Sequence, residues 1–261
     1  MDQSVKKELA VSGIKSLLSA VPWVGGLLNE ALFDYRGRLK QERLNQFVTS
    51  LADYFQEHEP ADVSVFATED FSDIFESVIR RVVLTKSKTK HERFRDILIH
   101  SIEASQAELD NTETYLDLVS SLDEVAILIL KHHQPFDNAF DQQSYKINDQ
   151  QVKIAQLKEQ LTKEQAQQTK GLANDTDRVA AELKLLKDKE TEFHNREKSL
   201  SQYRSATFYH LTEEDFRYYK QILTSKGLLS DTGIGAIGGD AFIKMSITEF
   251  GKRFINFIKS A

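Results

Sequence analysis

The sequence contains no cysteine, and it has only three prolines and eleven glycines in 261 residues. The absence of cysteine excludes disulfide bonds, zinc–thiolate sites and thiol nucleophiles. Five of the glycines lie between residues 233 and 251, so the first 230 residues contain few helix breakers. The chain is therefore predicted to be mainly α-helical.

Long apolar runs are absent as well. The longest uncharged run covers residues 16–29, and Pro22, Gly25 and Gly26 interrupt it. A helix that spans a membrane needs roughly 20 apolar residues. The N-terminal stretch MDQSVKKELAVSGIK is typical of a charged helix and not of a secretory signal. These features predict a soluble, cytoplasmic protein.

Charged residues make up 28% of the chain, and the net charge is −6. The excess of acidic residues argues against nucleic-acid affinity over the whole surface. The abundance of Leu, Lys, Glu, Gln and Ala is typical of amphipathic helices and coiled coils.

Residues 1–135 are predicted to form a helical bundle, because large apolar side chains recur at spacings of three and four. The clearest stripe consists of Phe71, Ile74, Phe75, Val78, Ile79 and Val82. Thr89 with Glu92, and Ser121 with Glu124, have the spacing of a capping box. Each pair predicts the start of a helix.

An apolar elbow separates the first two predicted helices and contains the only tryptophan. Its residues are Val21, Trp23, Val24, Leu27 and Leu28. We interpret it as a buried turn between helices. The alternative is a segment that inserts into a membrane after a conformational change.

Residues 136–205 are predicted to form a coiled-coil arm, because aliphatic residues recur every seven positions among Gln, Lys and Glu. The predicted interface consists of Ile147, Ile154, Leu157, Leu161, Val179, Leu183, Leu186, Phe193 and Leu200.

The two heptad runs of the arm are interrupted at residues 171–177, which include Gly171 and Asn174. A turn there would form an antiparallel hairpin in which Ile147 faces Leu200 and Ile154 faces Phe193. The alternative is one continuous helix with a stutter.

Residues 206–261 are predicted to form a separate α+β unit. Thr212 and Thr248 are predicted to cap its two helices, and two short strands lie between them. The order helix, strand, loop, strand, helix resembles a winged-helix module. The loop has the spacing G-x-G-x-x-G from Gly233 to Gly238, but dinucleotide binding needs a helix N-terminus after it. A wing tip is therefore predicted here, and no cofactor.

The segment Ile-Thr-Glu-Phe-Gly-Lys-Arg-Phe at residues 247–254 lies near the end of this module. With the helical N-terminal region, it is similar to uncharacterised bacterial proteins of the phage-defence and abortive-infection type. The resemblance implies a role in antiviral defence and no particular site residue.

A basic stretch near residues 80–95 is a candidate site for anions or nucleic acid. It consists of Arg80, Arg81, Lys86, Lys88, Lys90, Arg93 and Arg95. His132 and His133 are adjacent and are expected to form a surface pair at a helix C-terminus. The sequence predicts no catalytic or metal-binding residue.

The sequence therefore favours a non-enzymatic, self-associating protein that contacts a protein partner or other copies of itself. One alternative is a DNA-binding regulator that uses the winged-helix module and the basic stretch. The other is a membrane-acting, pore-forming effector that uses the apolar elbow.

Overall fold

The computed structural model describes residues 8–9, 12–14, 16, 35–58, 63–103, 109–166, 173–233 and 241–259. Over these residues the chain is mainly helical and contains one small antiparallel sheet. The predicted helical character is confirmed. The apolar elbow lies outside the described residues, and so do the side chains of Leu161 and Val179.

The α-helices with described bounds are, in chain order, α1 (Tyr35–Glu57), α2 (Glu69–Leu84), α3 (Lys88–Glu103), α4 (Thr112–Ser121), α5 (Glu124–His132), α6 (Asn138–Ala166), α7 (Ala173–Leu200), α8 (Glu213–Ser225) and α9 (Glu249–Phe257). The strands are β1 (Leu229–Asp231) and β2 (Met245–Ile247). Short 3-10 helices cover Val63–Ala67, Ser201–Arg204 and Ala206–Tyr209.

The chain divides into two compact units. The first unit comprises Met1–Asp123 with Phe254–Ala261, and the second comprises Glu124–Arg253. The end of α9 belongs to the first unit because its aromatic side chains pack there. The rings of Phe254 and Phe257 lie 5.7 Å and 4.9 Å from the ring of Tyr115.

Helix α2 lies at the centre of the first unit and packs against α1, α3 and α4. Every member of its predicted apolar stripe is buried, as the spacing indicated. The rings of Phe55, Phe66, Phe71 and Phe75 follow one another at centroid distances of 5.7, 5.2 and 6.5 Å. These aromatic contacts connect α1 to α2 through the intervening 3-10 helix.

Two of the predicted helix caps are confirmed. The Thr212 side chain accepts a hydrogen bond from the Asp215 N–H at 3.1 Å, and that of Thr248 accepts one from the Gly251 N–H at 2.9 Å. Each hydroxyl satisfies an N–H group that has no partner inside the helix.

The other two predicted helix starts are wrong by one or more residues. Helix α3 begins at Lys88, and the side chain of Ser87 accepts from the Lys90 N–H at 3.2 Å. Ser121 is the last residue of α4 and not a cap of α5. A capping-box spacing occurs often by chance in helix-rich sequence, and neighbouring hydroxyls compete for the same position.

In the second unit, α6 and α7 pack against each other and run antiparallel. Two polar pairs connect them: Gln151 donates to Glu190 at 2.9 Å, and Lys153 lies 2.6 Å from Glu182. Residue numbers rise along α6 as they fall along α7, which is the hairpin arrangement and not the continuous helix. Residues 167–172 between the helices lie outside the described part of the chain.

The apolar seam between α6 and α7 uses the predicted residues in a different register. Ile147, Ile154, Leu157, Leu186 and Phe193 are buried, and Leu183 and Leu200 are half-buried against them.

Phe193 packs with Ile147, and Leu186 packs with Ile154. The predicted pairing of Ile154 with Phe193 is therefore wrong by one heptad. Two runs of period seven fit equally well in registers that differ by seven residues. The additional seam residue Phe140, whose ring lies 5.3 Å from that of Phe193, selects the observed register.

The strands form a two-stranded antiparallel sheet with Leu229 opposite Ile247 and Asp231 opposite Met245. The order α8, β1, β2, α9 agrees with the predicted order of elements, but β2 begins at Met245 where the predicted strand covered residues 241–245. The Ile247 N–H donates to the Phe136 carbonyl at 2.7 Å, and the Ser246 hydroxyl donates to Asp141. These bonds attach the sheet to the first turn of α6 and the residues before it.

Gly227 ends α8 in a left-handed conformation, with φ of 69°. Its N–H donates to Thr224, and the N–H of Leu228 donates to Leu223, both at 2.9 Å. This is the Schellman arrangement, in which a residue with positive φ lets two terminal carbonyls find donors. Leu223 and Leu228, on either side of this turn, are fully buried. Strand β1 begins directly after it, at Leu229.

Candidate functional site

The basic stretch is largely engaged in contacts inside the first unit. Arg81 forms ion pairs with Glu113 at 3.0 Å and with Asp117 at 2.6 Å. Arg80 pairs with Glu76 at 2.8 Å on the surface of α2. These carboxylates reduce the charge that the two arginines can offer to a phosphate group.

The remaining cations of the stretch do not form one surface. The Lys90 ammonium donates to the Ser120 carbonyl at 2.7 Å, and Arg93 is buried. Lys86 and Lys88 are exposed beside the turn between α2 and α3. Arg95 lies in a groove between α1 and α3.

The groove is lined mostly by polar residue types and has a volume of ≈ 680 Å³. One wall is formed by exposed and half-buried side chains of α1. Its lining residues are Asn45, Gln46, Thr49, Ser50, Asp53, Tyr54, Glu57 and His58 of α1 and Arg95, Asp96, Ile99 and His100 of α3. Its volume falls within the range typical of ligand sites.

The guanidinium of Arg95 is fixed at the base of the groove. It donates to the Ser50 hydroxyl at 3.0 Å and to the Asp96 carboxylate at 3.1 Å. The Asp96 side chain is only 5% exposed. The negative charge of a buried carboxylate is neutralised by a guanidinium that donates to it. Arg95 and Asp96 therefore neutralise each other's charge.

Two histidines line the groove with the same orientation. His58 Nδ1 lies 3.2 Å from the Tyr54 carbonyl, and His100 Nδ1 lies 2.8 Å from the Asp96 carbonyl. A carbonyl can only accept, so Nδ1 carries the hydrogen in both rings. In the neutral rings Nε2 is then a hydrogen-bond acceptor. The rings of His58 and Tyr54 are stacked, 4.3 Å apart and inclined by 13°.

A second group of ionisable side chains, the cationic cluster, lies in the second unit and consists of His133 and Lys220, which are buried, and Arg204, which is half-buried. His133 is completely buried, which contradicts the predicted surface pair with His132. Its Nδ1 lies 2.8 Å from the Ile129 carbonyl, while its Nε2 has no partner among the described residues. The turn after α5 directs this side chain inward and leaves His132 half-buried against the ring of Tyr203, 4.6 Å away.

Two members of the cationic cluster, Arg204 and Lys220, disfavour the protonated form of the third, His133. Burial, and then the charges of Arg204 and Lys220, lower the pKa of His133 to about 4. Burial also lowers the pKa of Lys220, whose ammonium donates to the Phe242 carbonyl at 2.5 Å. Phe242 has a positive φ of 66°, and its N–H donates to Asp231 at 2.6 Å. Lys220 and Asp231 therefore hold the turn that precedes β2.

The groove and the cationic cluster were not predicted from the sequence. The polar positions Asn45, Thr49, Asp53 and Glu57 recur every four residues in α1, and this periodicity could have indicated a polar helix face. No sequence signal separates a buried histidine from an exposed one at the end of a helix.

No group of three or more His, Asp or Glu side chains in the described part of the chain could hold a metal ion. None of the described helices is long and apolar enough to cross a membrane. The G-x-G-x-x-G spacing begins after β1, and the next described elements are the turn at 241–244 and β2.

The chain matches no protein-family model, no curated protein and no solved structure. The possible roles of its residues therefore rest on the geometry of this chain alone.

Proposed function

We propose that this is a non-enzymatic interaction protein that associates with copies of itself through the outer surface of its arm. The observation that supports this most directly is a set of three large apolar side chains exposed on α6 and α7. Tyr145, Val152 and Leu185 are 63%, 62% and 56% exposed, although most of the arm surface is polar.

These side chains cannot contribute to the hairpin itself. Tyr145 and Val152 precede the seam residues Ile147 and Ile154 by two positions, which places them about 200° around the helix from the seam. They are seven residues apart and therefore lie on one face of α6. An exposed apolar pair on the face of α6 that points away from a filled seam is typical of a contact surface.

The hairpin also determines which surface can associate. The seam is buried within one chain, so a second copy would have to contact the outer face of the arm. Aromatic and aliphatic side chains at the centre of an interface supply most of its binding energy. The flanking pair of Lys153 and Glu182 would stay at the edge of such a contact.

The proposal can be tested by sedimentation equilibrium over a range of protein concentrations. The wild-type chain is expected to self-associate, and the variant Tyr145→Ser, Val152→Ser, Leu185→Ser is expected to be monomeric at the same concentrations. A matched control replaces three exposed polar residues of the same helices: Gln143→Ser, Gln156→Ser and Thr191→Ser. The control should associate as the wild type does, and a wild type that is monomeric throughout would refute the proposal.

We also propose that this association serves bacterial defence against phage, on the basis of the resemblance of residues 247–254 and the helical N-terminal region. The test is plaque formation on bacteria that express the wild type or the triple arm variant. Equal plaque numbers with the wild type and with an empty vector would contradict the role in defence and leave the self-association unaffected.

A further inference from the structure

We propose that the groove between α1 and α3 binds a positively charged ligand with N–H donors, namely a guanidinium or alkylammonium group. The groove belongs to the first unit and shares no residue with the arm, so the inference is independent of the proposed self-association.

The charge of the lining is the first argument. The groove contains the carboxylates of Asp53, Glu57 and Asp96, and among the described residues Arg95 alone contributes a guanidinium to it. Arg95 is bound to Asp96 and Ser50. Asp53 and Glu57 are exposed one helical turn apart, and neither forms an ion pair with a described residue. The open part of the groove is therefore negative and attracts cations.

The hydrogen-bonding capacity of the lining is the second argument. The Nδ1 atoms of His58 and His100 are occupied by backbone carbonyls, so each neutral ring offers Nε2 as an acceptor. With the carboxylates of Asp53 and Glu57, which form no ion pair with a described residue, the lining is rich in acceptors. A ligand that carries several N–H groups can satisfy them, whereas an anion cannot.

The stacked rings of Tyr54 and His58 are the third argument. The two rings lie face to face on the same wall as Asp53 and Glu57, so the planar surface that they present is the outer face of this stack. A guanidinium binds well where a planar ring and a carboxylate lie together, because it can stack on one and donate to the other. The volume of ≈ 680 Å³ is large enough for more than one terminal group.

Two sources can supply this chemistry: a small free amine, or the Arg and Lys side chains of a peptide. Isothermal titration calorimetry on the full chain separates them with three probes: agmatine, spermidine and a short Arg-containing peptide with blocked ends. Binding of agmatine or spermidine identifies a small-molecule source, and binding of the peptide alone identifies a polypeptide source. Absence of heat with all three probes at millimolar concentration would overturn the proposal.

The decisive variant is Asp53→Asn with Glu57→Gln, which removes two exposed charges and preserves the shape of the side chains. We expect it to weaken binding about tenfold, since both charge-assisted hydrogen bonds are lost. The matched control is Asp188→Asn with Glu192→Gln, an exposed pair of α7 with the same spacing and the same change in net charge.

The control should bind within about twofold of the wild type, because non-specific attraction by net charge is weak and screened by salt. Equal weakening by both variants would show that the charge of the whole protein, and not the groove, attracts the probe. A third variant, Tyr54→Leu, should weaken agmatine more than spermidine, because only the guanidinium stacks on the ring. The self-association of the arm should be unchanged in all of these variants.

Discussion

The guanidinium carbon of Arg204 lies 3.9 Å from the centroid of the Phe136 ring. Arg204 also donates to the Met245 carbonyl at 3.2 Å, at the start of β2. The same side chain therefore fixes the residues before α6 and the small sheet, both in the second unit.

The first prediction concerns this stacked arginine. Arg204→Lys should destabilise the protein by roughly 1–2 kcal/mol, because an ammonium cannot stack as a plane and donate to a carbonyl at once. The control is Arg196→Lys, since Arg196 is exposed and lies 5.5 Å from the ring of Phe140. Urea denaturation measures the change in unfolding free energy for each of the two variants. A cost for Arg196→Lys as large as that for Arg204→Lys would contradict this assignment.

The second prediction contrasts two glycines of the second unit. A Cβ at Gly251 would collide with the Leu228 carbonyl oxygen and lie 3.0 Å from Ile247 Cγ1, whereas a Cβ at Gly227 would meet nothing within 4 Å. Gly251→Ala should therefore cost at least about 2 kcal/mol through overpacking. Gly227→Ala should cost about 1 kcal/mol through its positive φ alone. Thermal unfolding shows which of the two variants loses more stability. A larger loss for Gly227→Ala than for Gly251→Ala would contradict the close approach of α9 to the α8–β1 turn.

The third prediction tests the register of the arm. Because the natural sequence has no cysteine, the two introduced cysteines have no other thiol of the same chain to pair with. Ile154→Cys with Leu186→Cys should form a disulfide under mild oxidation, because the two residues pack in one cluster. Ile154→Cys with Phe193→Cys represents the register shifted by one heptad and should remain reduced. Mass spectrometry after alkylation measures the reduced fraction of each. Preferential oxidation of the second pair would show that the seam is displaced by seven residues.

The fourth prediction concerns pH. The pKa of buried His133 is lowered from 6.5 to about 4, so between these values the unfolded chain binds a proton that the folded chain does not. Stability should therefore fall as the pH decreases from about 7 to 4, by roughly 3 kcal/mol for this group. Below about pH 4 the loss from His133 is complete.

His133→Leu removes this contribution, so its unfolding free energy should depend less steeply on pH than that of the wild type. The control is His194→Gln, at an exposed position of α7, which should keep the slope associated with His133. Urea titrations at half-unit pH steps provide the comparison. A slope in His133→Leu equal to that of the wild type would show that the imidazole is not held neutral in the folded state.

Local sequence patterns predicted those features that depend on one helix at a time. The apolar stripe of α2 was predicted because a period of 3.6 puts Phe71, Phe75 and Val78 on one face, whatever they pack against. The caps at Thr212 and Thr248 were predicted because a hydroxyl at this position bonds within its own first turn. The membership of the arm seam follows from the seven-residue period in the same way.

Features that depend on contacts between distant residues were not predicted. The heptad period could not distinguish registers seven residues apart, and contacts of Phe193 with Phe140 and Ile147 decide between them. Arg95 was grouped with the basic stretch, although Ser50 and Asp96 hold it in the groove.

The sequence by itself determined the helical character of the chain, its apolar faces and two of its helix caps, because each of these depends on residues within one or two turns. The tertiary structure decided the register of the arm, the burial of His133, and the position of Arg95 between α1 and α3. It also assigned the end of α9 to the first unit, beside Tyr115. These outcomes depend on which distant side chains compete for the same space, and no local periodicity carries that information.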